Sequence, residues 1–196
     1  MPYKSAHHAL ICCFVDHARP GHSGWQDLYD PKSRDDVKLD LRDEAIQATH
    51  LVSALHGMEE IAGEAANVWK HLLRMTDMRA AVLILRTCPP TIRLESIPGA
   101  KAPHPIYAGC VKYLADQSAG VVTGISKYHA RKDAIRRATG AKINVGITAD
   151  RCEVSRDTIE RLNGKMRAWL EPTEAQAWRE IEDRLEVAGL IGVETV

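Results

Sequence analysis

Apolar residues recur at steps of three and four along most of this chain, and this spacing constrains the fold more than any other feature. The clearest example is 37–55, where apolar side chains share one helical face and Gly57 follows as a stop signal. A short hairpin around 91–97 is the one alternative to helix that the pattern leaves open. The sequence therefore predicts an all-α fold with about eight helices.

Proline-rich sequence divides the predicted helices into two groups. From Cys88 to Pro105 the chain holds five prolines and one glycine without sustained periodicity. We therefore expect a helical bundle over 1–87, a linker over 88–104 and a helical C-terminal domain over 105–196.

The last helix is predicted from a start signal and a stop signal. Thr173 is suited to cap its first turn, Gln176 follows three residues on, and Gly189 stands just beyond its end. Because Pro172 should break any helix that enters it, we expect this last helix to be separate from the preceding one.

Composition excludes several classes of protein. The chain has 45% hydrophobic and 27% charged residues, which is typical of a globular protein. No apolar run is long enough to cross a bilayer, and the N-terminus lacks the apolar stretch of a signal peptide. The five cysteines include the adjacent pair Cys12 and Cys13, which does not suit a disulfide framework. We therefore expect a cytoplasmic protein with reduced thiols and no membrane association.

The charges are unevenly distributed although the formal net charge is zero. Residues 121–170 carry eleven Lys or Arg against five acids, whereas residues 171–196 carry seven acids against two Arg. A basic segment of this kind is expected where one face meets phosphate, and a solvated charged helix gives the same count.

The segment 145–166 has the spacing of two short helices joined by a tight turn. Ala149 is small enough for a close helix crossing, and Ser155 is suited to cap the second helix. Apolar residues that fit the turn and the buried face of the second helix follow at matching positions: Cys152, Val154, Ile159, Leu162 and Met166.

This segment resembles the helix-turn-helix of bacterial and phage transcription regulators. The residues that carry the resemblance are Ala149, Glu153, Val154, Ser155, Thr158, Ile159 and Arg161. The chain departs from the family pattern at Glu153, where the family prefers glycine because the turn needs a left-handed backbone. It departs again at Thr148, a position that is usually apolar.

The resemblance implies a DNA-contacting surface on the second helix, and a basic helix precedes it in the sequence. The candidate residues on the second helix are Ser155, Arg156, Asp157, Thr158, Glu160, Arg161 and Lys165. Of these, Arg156, Asp157, Glu160 and Arg161 would approach the major groove. The candidate phosphate contacts are Lys127, Arg131, Lys132, Arg136, Arg137 and Lys142.

Metal sites and catalytic sites are weaker interpretations. His8 and Cys12 have the spacing of metal ligands on one helix, but no Cys-x-x-Cys pair or second cluster accompanies them. Cys13 or Cys110 would need a histidine partner that the sequence does not bring near. We therefore expect no metal, no cofactor, no catalytic residue and no enzymatic activity.

The sequence thus predicts a sequence-specific double-stranded DNA-binding transcription regulator. By analogy of layout, phage antitermination factors that act with RNA polymerase belong to this class, and the N-terminal half would contact the polymerase or a homodimer partner. The alternative is a helical interaction or assembly protein, such as a phage packaging or adaptor subunit, in which 145–166 is only a packed hairpin.

Overall fold

A computed structural model describes residues 3–17, 64–93, 101–124 and 127–192. Within these ranges the chain forms seven α-helices, one antiparallel hairpin and a 3₁₀ turn at Ser118–Gly120. The helices are α1 (Ala6–His17), α2 (Glu64–Leu73), α3 (Asp77–Thr87), α4 (Pro105–Gln117), α5 (Tyr128–Ala138), α6 (Val145–Cys152) and α7 (Arg156–Val187). The predicted all-α fold is confirmed, while the helix predicted over 37–55 lies outside the described residues.

Helix α3 lies at the centre of the packing because it is apolar on nearly every side. Residues 80–85 are six consecutive buried positions, which is typical of a helix surrounded by protein. Helix α3 contacts α4 and α7, and α7 also packs against α5, α6 and α1. Buried side chains from both sides of 88–104 therefore belong to one hydrophobic cluster.

The segment that was expected to be a linker contains the hairpin. Strand β1 (Thr91–Arg93) pairs antiparallel with β2 (Lys101–Pro103), with Ile92 opposite Ala102. The second strand is thus further along the chain than the hairpin considered around 91–97. Pro105 then occupies the first turn of α4, where its missing N–H costs nothing.

The predicted break at Pro172 is wrong, because α7 continues through it without interruption to Val187. Leu170 and Ala177, one on each side of the proline, are both buried against the core. The carbonyl of Ala168, which loses its partner to the proline, belongs to an exposed residue and can bind water. Tertiary packing on both sides therefore holds the two segments in one helix, and Thr173 is not a cap.

The C-terminal stop signal is confirmed. Gly189 has a φ of +69°, and its N–H donates to the carbonyl of Glu186 at 2.9 Å. The N–H of Leu190 donates to the carbonyl of Leu185 at 2.9 Å, which completes a Schellman motif. None of the helices in the described ranges is long and apolar enough to cross a membrane.

Candidate nucleic-acid interface

The turn between α6 and α7 has the backbone conformation that the sequence resemblance implied. Glu153 has φ 52° and ψ 46°, and it is the one non-glycine residue with a positive φ among the described residues. The N–H groups of Glu153 and Val154 donate to the carbonyls of Asp150 and Ala149 at 3.1 and 3.0 Å. A side chain in this left-handed conformation costs about 1–2 kcal/mol, so other contacts must hold the turn.

One such contact comes from Lys127, which precedes α5. Its Nζ donates to the carbonyl of Cys152 and lies 3.2 Å from the Glu153 carboxylate. A cation is favourable there because the last carbonyls of α6 carry partial negative charge. Lys127 was predicted to contact phosphate, and the structure gives it a role in stabilising the turn.

The predicted cap and packing face of the second helix are confirmed. The Ser155 Oγ accepts a hydrogen bond from the N–H of Thr158 at 3.2 Å and lies 2.7 Å from its Oγ1. Ile159, Leu162 and Met166, which were expected on the inner face, are buried at 2% exposure or less. Ala149 and Cys152 of α6 are buried to the same degree, whereas Val154 in the turn is half-buried. The start of α7 is therefore fixed against α6.

A buried network that sequence analysis missed joins α5 to α6. Asp133 is only 8% exposed, and its Oδ2 accepts a hydrogen bond from Thr148 Oγ1 at 2.7 Å. Arg151 forms an ion pair with the same oxygen, and Arg136 lies 3.9 Å from Oδ1. Thr148 is thus polar at a usually apolar position because it pairs with Asp133, the single acid in an otherwise basic helix. A polar residue at an apolar position and a lone acid in a basic helix were therefore the sequence features that could have indicated this network.

The face of α7 opposite the core is exposed and charged near its start. Asp157, Glu160 and Arg161 are all exposed, and Arg161 Nε donates to the carbonyl of Asp157 at 3.3 Å. Lys165 donates to the carbonyl of Thr123 at 2.8 Å, so its ammonium lies beside the loop before α5.

The side chain of Arg156, the first residue of α7, lies against the start of α6. A Cβ added at Gly146 would lie 3.1 Å from Arg156 Nη2 and 3.2 Å from Asn144 Oδ1. Asn144 caps α6 by accepting from the N–H of Gly146 at 2.8 Å. The Arg156 guanidinium therefore folds back over the first turn of α6, next to its capping residue.

The predicted phosphate-contacting residues before α6 do not form one continuous ridge. Arg131 Nε donates to the carbonyl of Ala115 in α4 at 3.1 Å, and Lys132 Nζ lies 5.2 Å from the centre of the Tyr128 ring. Arg137 is half-buried beside α3 and α7, whereas Lys142 is exposed. Several of these cations are therefore held by the protein itself.

The N-terminal histidine and cysteine residues show no metal site in the part of the chain that is described, since no group of three ligating side chains converges there. His8 Nδ1 instead accepts a hydrogen bond from the N–H of Lys4 at 3.3 Å. His22, a further histidine of the N-terminal region, lies outside the described residues.

Comparison with known proteins identifies no relative. No family model, curated protein or solved structure matches this chain. The geometry of α5, α6 and α7 is therefore the basis on which a function can be proposed.

Proposed function

We propose that this protein is a sequence-specific double-stranded DNA-binding transcription regulator that reads the major groove with the first turns of α7. The observation that carries the proposal is the turn at Glu153, whose left-handed backbone joins α6 to a capped helix with an exposed polar face. A glutamate in this conformation is strained, and strained backbone of this kind favours a turn geometry that is needed for more than packing.

Three exposed side chains on α7 have the chemistry to read base edges. Arg161 is suited to guanine through its paired donors, and Asp157 and Glu160 are suited to accept from the amino group of cytosine. Arg156, next to the capped start of α6, is better placed for a phosphate than for a base. This role differs from the base contact that the sequence suggested.

The candidate phosphate contacts are the exposed and half-exposed cations of α5 and of the loop that follows it. Lys132, Arg136 and Lys142 would set the register on DNA, while Lys127 would hold the turn. We further propose a phage-type regulator, of the antitermination kind or a repressor, in the cytoplasm. Its N-terminal half would contact RNA polymerase or a second copy of the chain.

The alternative of a helical interaction or assembly protein is favoured by a separate observation. Lys127, Arg131 and Lys165 each donate to a backbone carbonyl within the protein, which reduces the cations available to DNA. An interaction protein of this kind would bind DNA weakly and without sequence preference.

Selection of bound duplexes from a random pool at near-physiological salt separates the two functions. We expect the wild type to recover a motif, and Arg161→Ala to lose about tenfold in discrimination at one base pair. Arg179→Ala is the matched control because Arg179 is also exposed on α7 but lies far beyond its first turns. Failure of the wild type to enrich any motif would refute the proposal and favour the interaction protein.

A further inference from the structure

An open cleft of about 440 Å³ lies between α3, the end of α5 and the middle of α7. Three arginines line it, namely Arg86, Arg137 and Arg167, together with Glu171 and Glu174. The volume is in the range of about 300–1,000 Å³ that is typical of sites for small molecules. The cleft lies outside the surface proposed to contact DNA bases.

The three arginines are not equivalent. Arg86 Nε lies 2.7 Å from Glu174 Oε1, and Arg86 Nη2 donates to Glu174 Oε2 at 2.7 Å. This bidentate ion pair neutralises the charges of both Arg86 and Glu174. Arg137 and Arg167 form no ion pair with any described residue, and because Glu171 also lines the cleft, the three arginines and two glutamates give it a net formal charge of +1.

Arg137 is held by packing rather than by an acceptor. Its side chain is half-buried, and its Nη1 is a buried atom with no hydrogen-bond partner in the described part of the chain. Partial burial of a guanidinium without an acceptor is costly. Because Nη1 is enclosed by protein, an anion in the cleft would contact the other nitrogens of Arg137 and offset the cost through the charge of the whole guanidinium. Arg167 adds a second cation from α7.

The cleft also has an apolar wall. Leu170 and Trp178 line it beside the arginines, and Trp178 is half-buried. A second cleft of about 580 Å³ adjoins the first, sharing Trp178 and the pair of Arg86 and Glu174, and it adds apolar residues such as Tyr107. A ligand could therefore place an anionic group at the arginines and a ring against the indole.

We propose that this cleft binds an organic oxyanion, a phosphate or carboxylate attached to a flat apolar group, through Arg137, Arg167 and Trp178. Arginine is suited to this task because its donors match both oxyanions in a bidentate geometry. The proposal does not depend on recognition of DNA bases. The phosphate can belong to a free small molecule or to a DNA backbone, and the chemistry of the site is the same for both.

The test is calorimetric titration of the full-length protein with phenyl phosphate, with benzyl alcohol as the uncharged control. We expect saturable binding of phenyl phosphate, no binding of benzyl alcohol, and a loss of about tenfold in affinity for Arg137→Gln and for Arg167→Gln. Arg179→Gln is the matched control, since Arg179 is an exposed arginine of α7 outside the cleft, and it should bind like the wild type. Circular dichroism of each variant confirms that the helices are retained.

Two results of the titration would contradict the proposal of an oxyanion site. If the wild type does not bind phenyl phosphate, or if Arg179→Gln loses as much affinity as Arg137→Gln, the cleft is not an oxyanion site. If the wild type does bind phenyl phosphate, competition with a DNA duplex identifies which kind of phosphate occupies the cleft. Displacement of phenyl phosphate by DNA indicates a backbone phosphate, and simultaneous binding indicates a free small molecule.

Discussion

The sequence resemblance and the structure lead to opposite expectations for the stability of a Thr148→Val variant. The helix-turn-helix pattern has an apolar residue at this position, so sequence reasoning alone expects valine to be neutral or stabilising. In the structure Thr148 is 1% exposed, and its hydroxyl donates to Asp133 Oδ2 at 2.7 Å. Valine has the same shape but cannot donate.

The magnitude follows from what the change leaves behind. Thr148→Val removes a hydrogen bond that the Asp133 carboxylate accepts, and Asp133 is only 8% exposed. Loss of a hydrogen bond to a buried charged group costs about 1.5–3 kcal/mol of stability. Arg151 still pairs with Asp133, so the carboxylate keeps one partner. We therefore expect the free energy of unfolding to fall by about 2 kcal/mol, and the melting temperature by about 4–8 °C.

Urea unfolding followed by far-UV circular dichroism measures this loss as a lower midpoint with an unchanged slope. Thr173→Val is the matched control, because it makes the same side-chain change in the middle of α7 at a half-buried position. In Asp133→Ala the acceptor is absent, so adding Thr148→Val should cost little more, and the difference measures the coupling. A Thr148→Val protein as stable as the wild type would refute the network.

Three further predictions concern the turn and two partly buried ionisable groups, His71 and Glu180. Glu153→Gly should leave the melting temperature unchanged or slightly raised, whereas Glu153→Val should lower it by several degrees, because a branched side chain resists the left-handed conformation. Burial, with neighbouring positive charges, lowers the pKa of His71 below 6.5, so its protonation opposes folding. Stability should fall as the pH drops below 6.5, and His71→Gln should reduce that fall in pH-dependent urea titrations. Burial raises the pKa of Glu180, but hydrogen bonds from Arg79 and Arg184 outweigh it and lower the pKa below 4.5. Its contribution is present above pH 4.5 and is lost as the pH falls further, and Glu180→Gln should remove this second, more acidic loss.

Features with local signals could be predicted from the sequence. Ser155 caps α7, Gly189 ends it, and the apolar residues at steps of three and four lie on the buried face. Each of these signals acts within about one helical turn, so it can be found without knowledge of the fold. The spacing also indicated a turn at Glu153, whereas its left-handed conformation was implied only by the resemblance, in which glycine is preferred at this position.

Features that depend on distant contacts could not be predicted in the same way. The continuity of α7 at Pro172 depends on the burial of Leu170 and Ala177 against other helices. The partner of Lys127 is 25 residues away, and Asp133 lies 15 residues from Thr148. A charge count treats such residues as solvated cations and acids, and only the packing shows which of them are used internally.

The continuity of α7 bears directly on how the proposed DNA-reading face is presented. Its first turns carry the exposed side chains, and its later turns are joined to α3 by ion pairs of Glu180 with Arg79 and of Glu174 with Arg86. Because Leu170, Ala177 and Ile181 are buried in the shared core, the start of α7 is oriented by the whole fold rather than by α6 alone. A face fixed in this way needs little ordering when it binds, which favours affinity. It also means that a ligand in the cleft between α3 and α7 would contact the same helix that is proposed to bind DNA, so the two proposed binding events would share one rigid element.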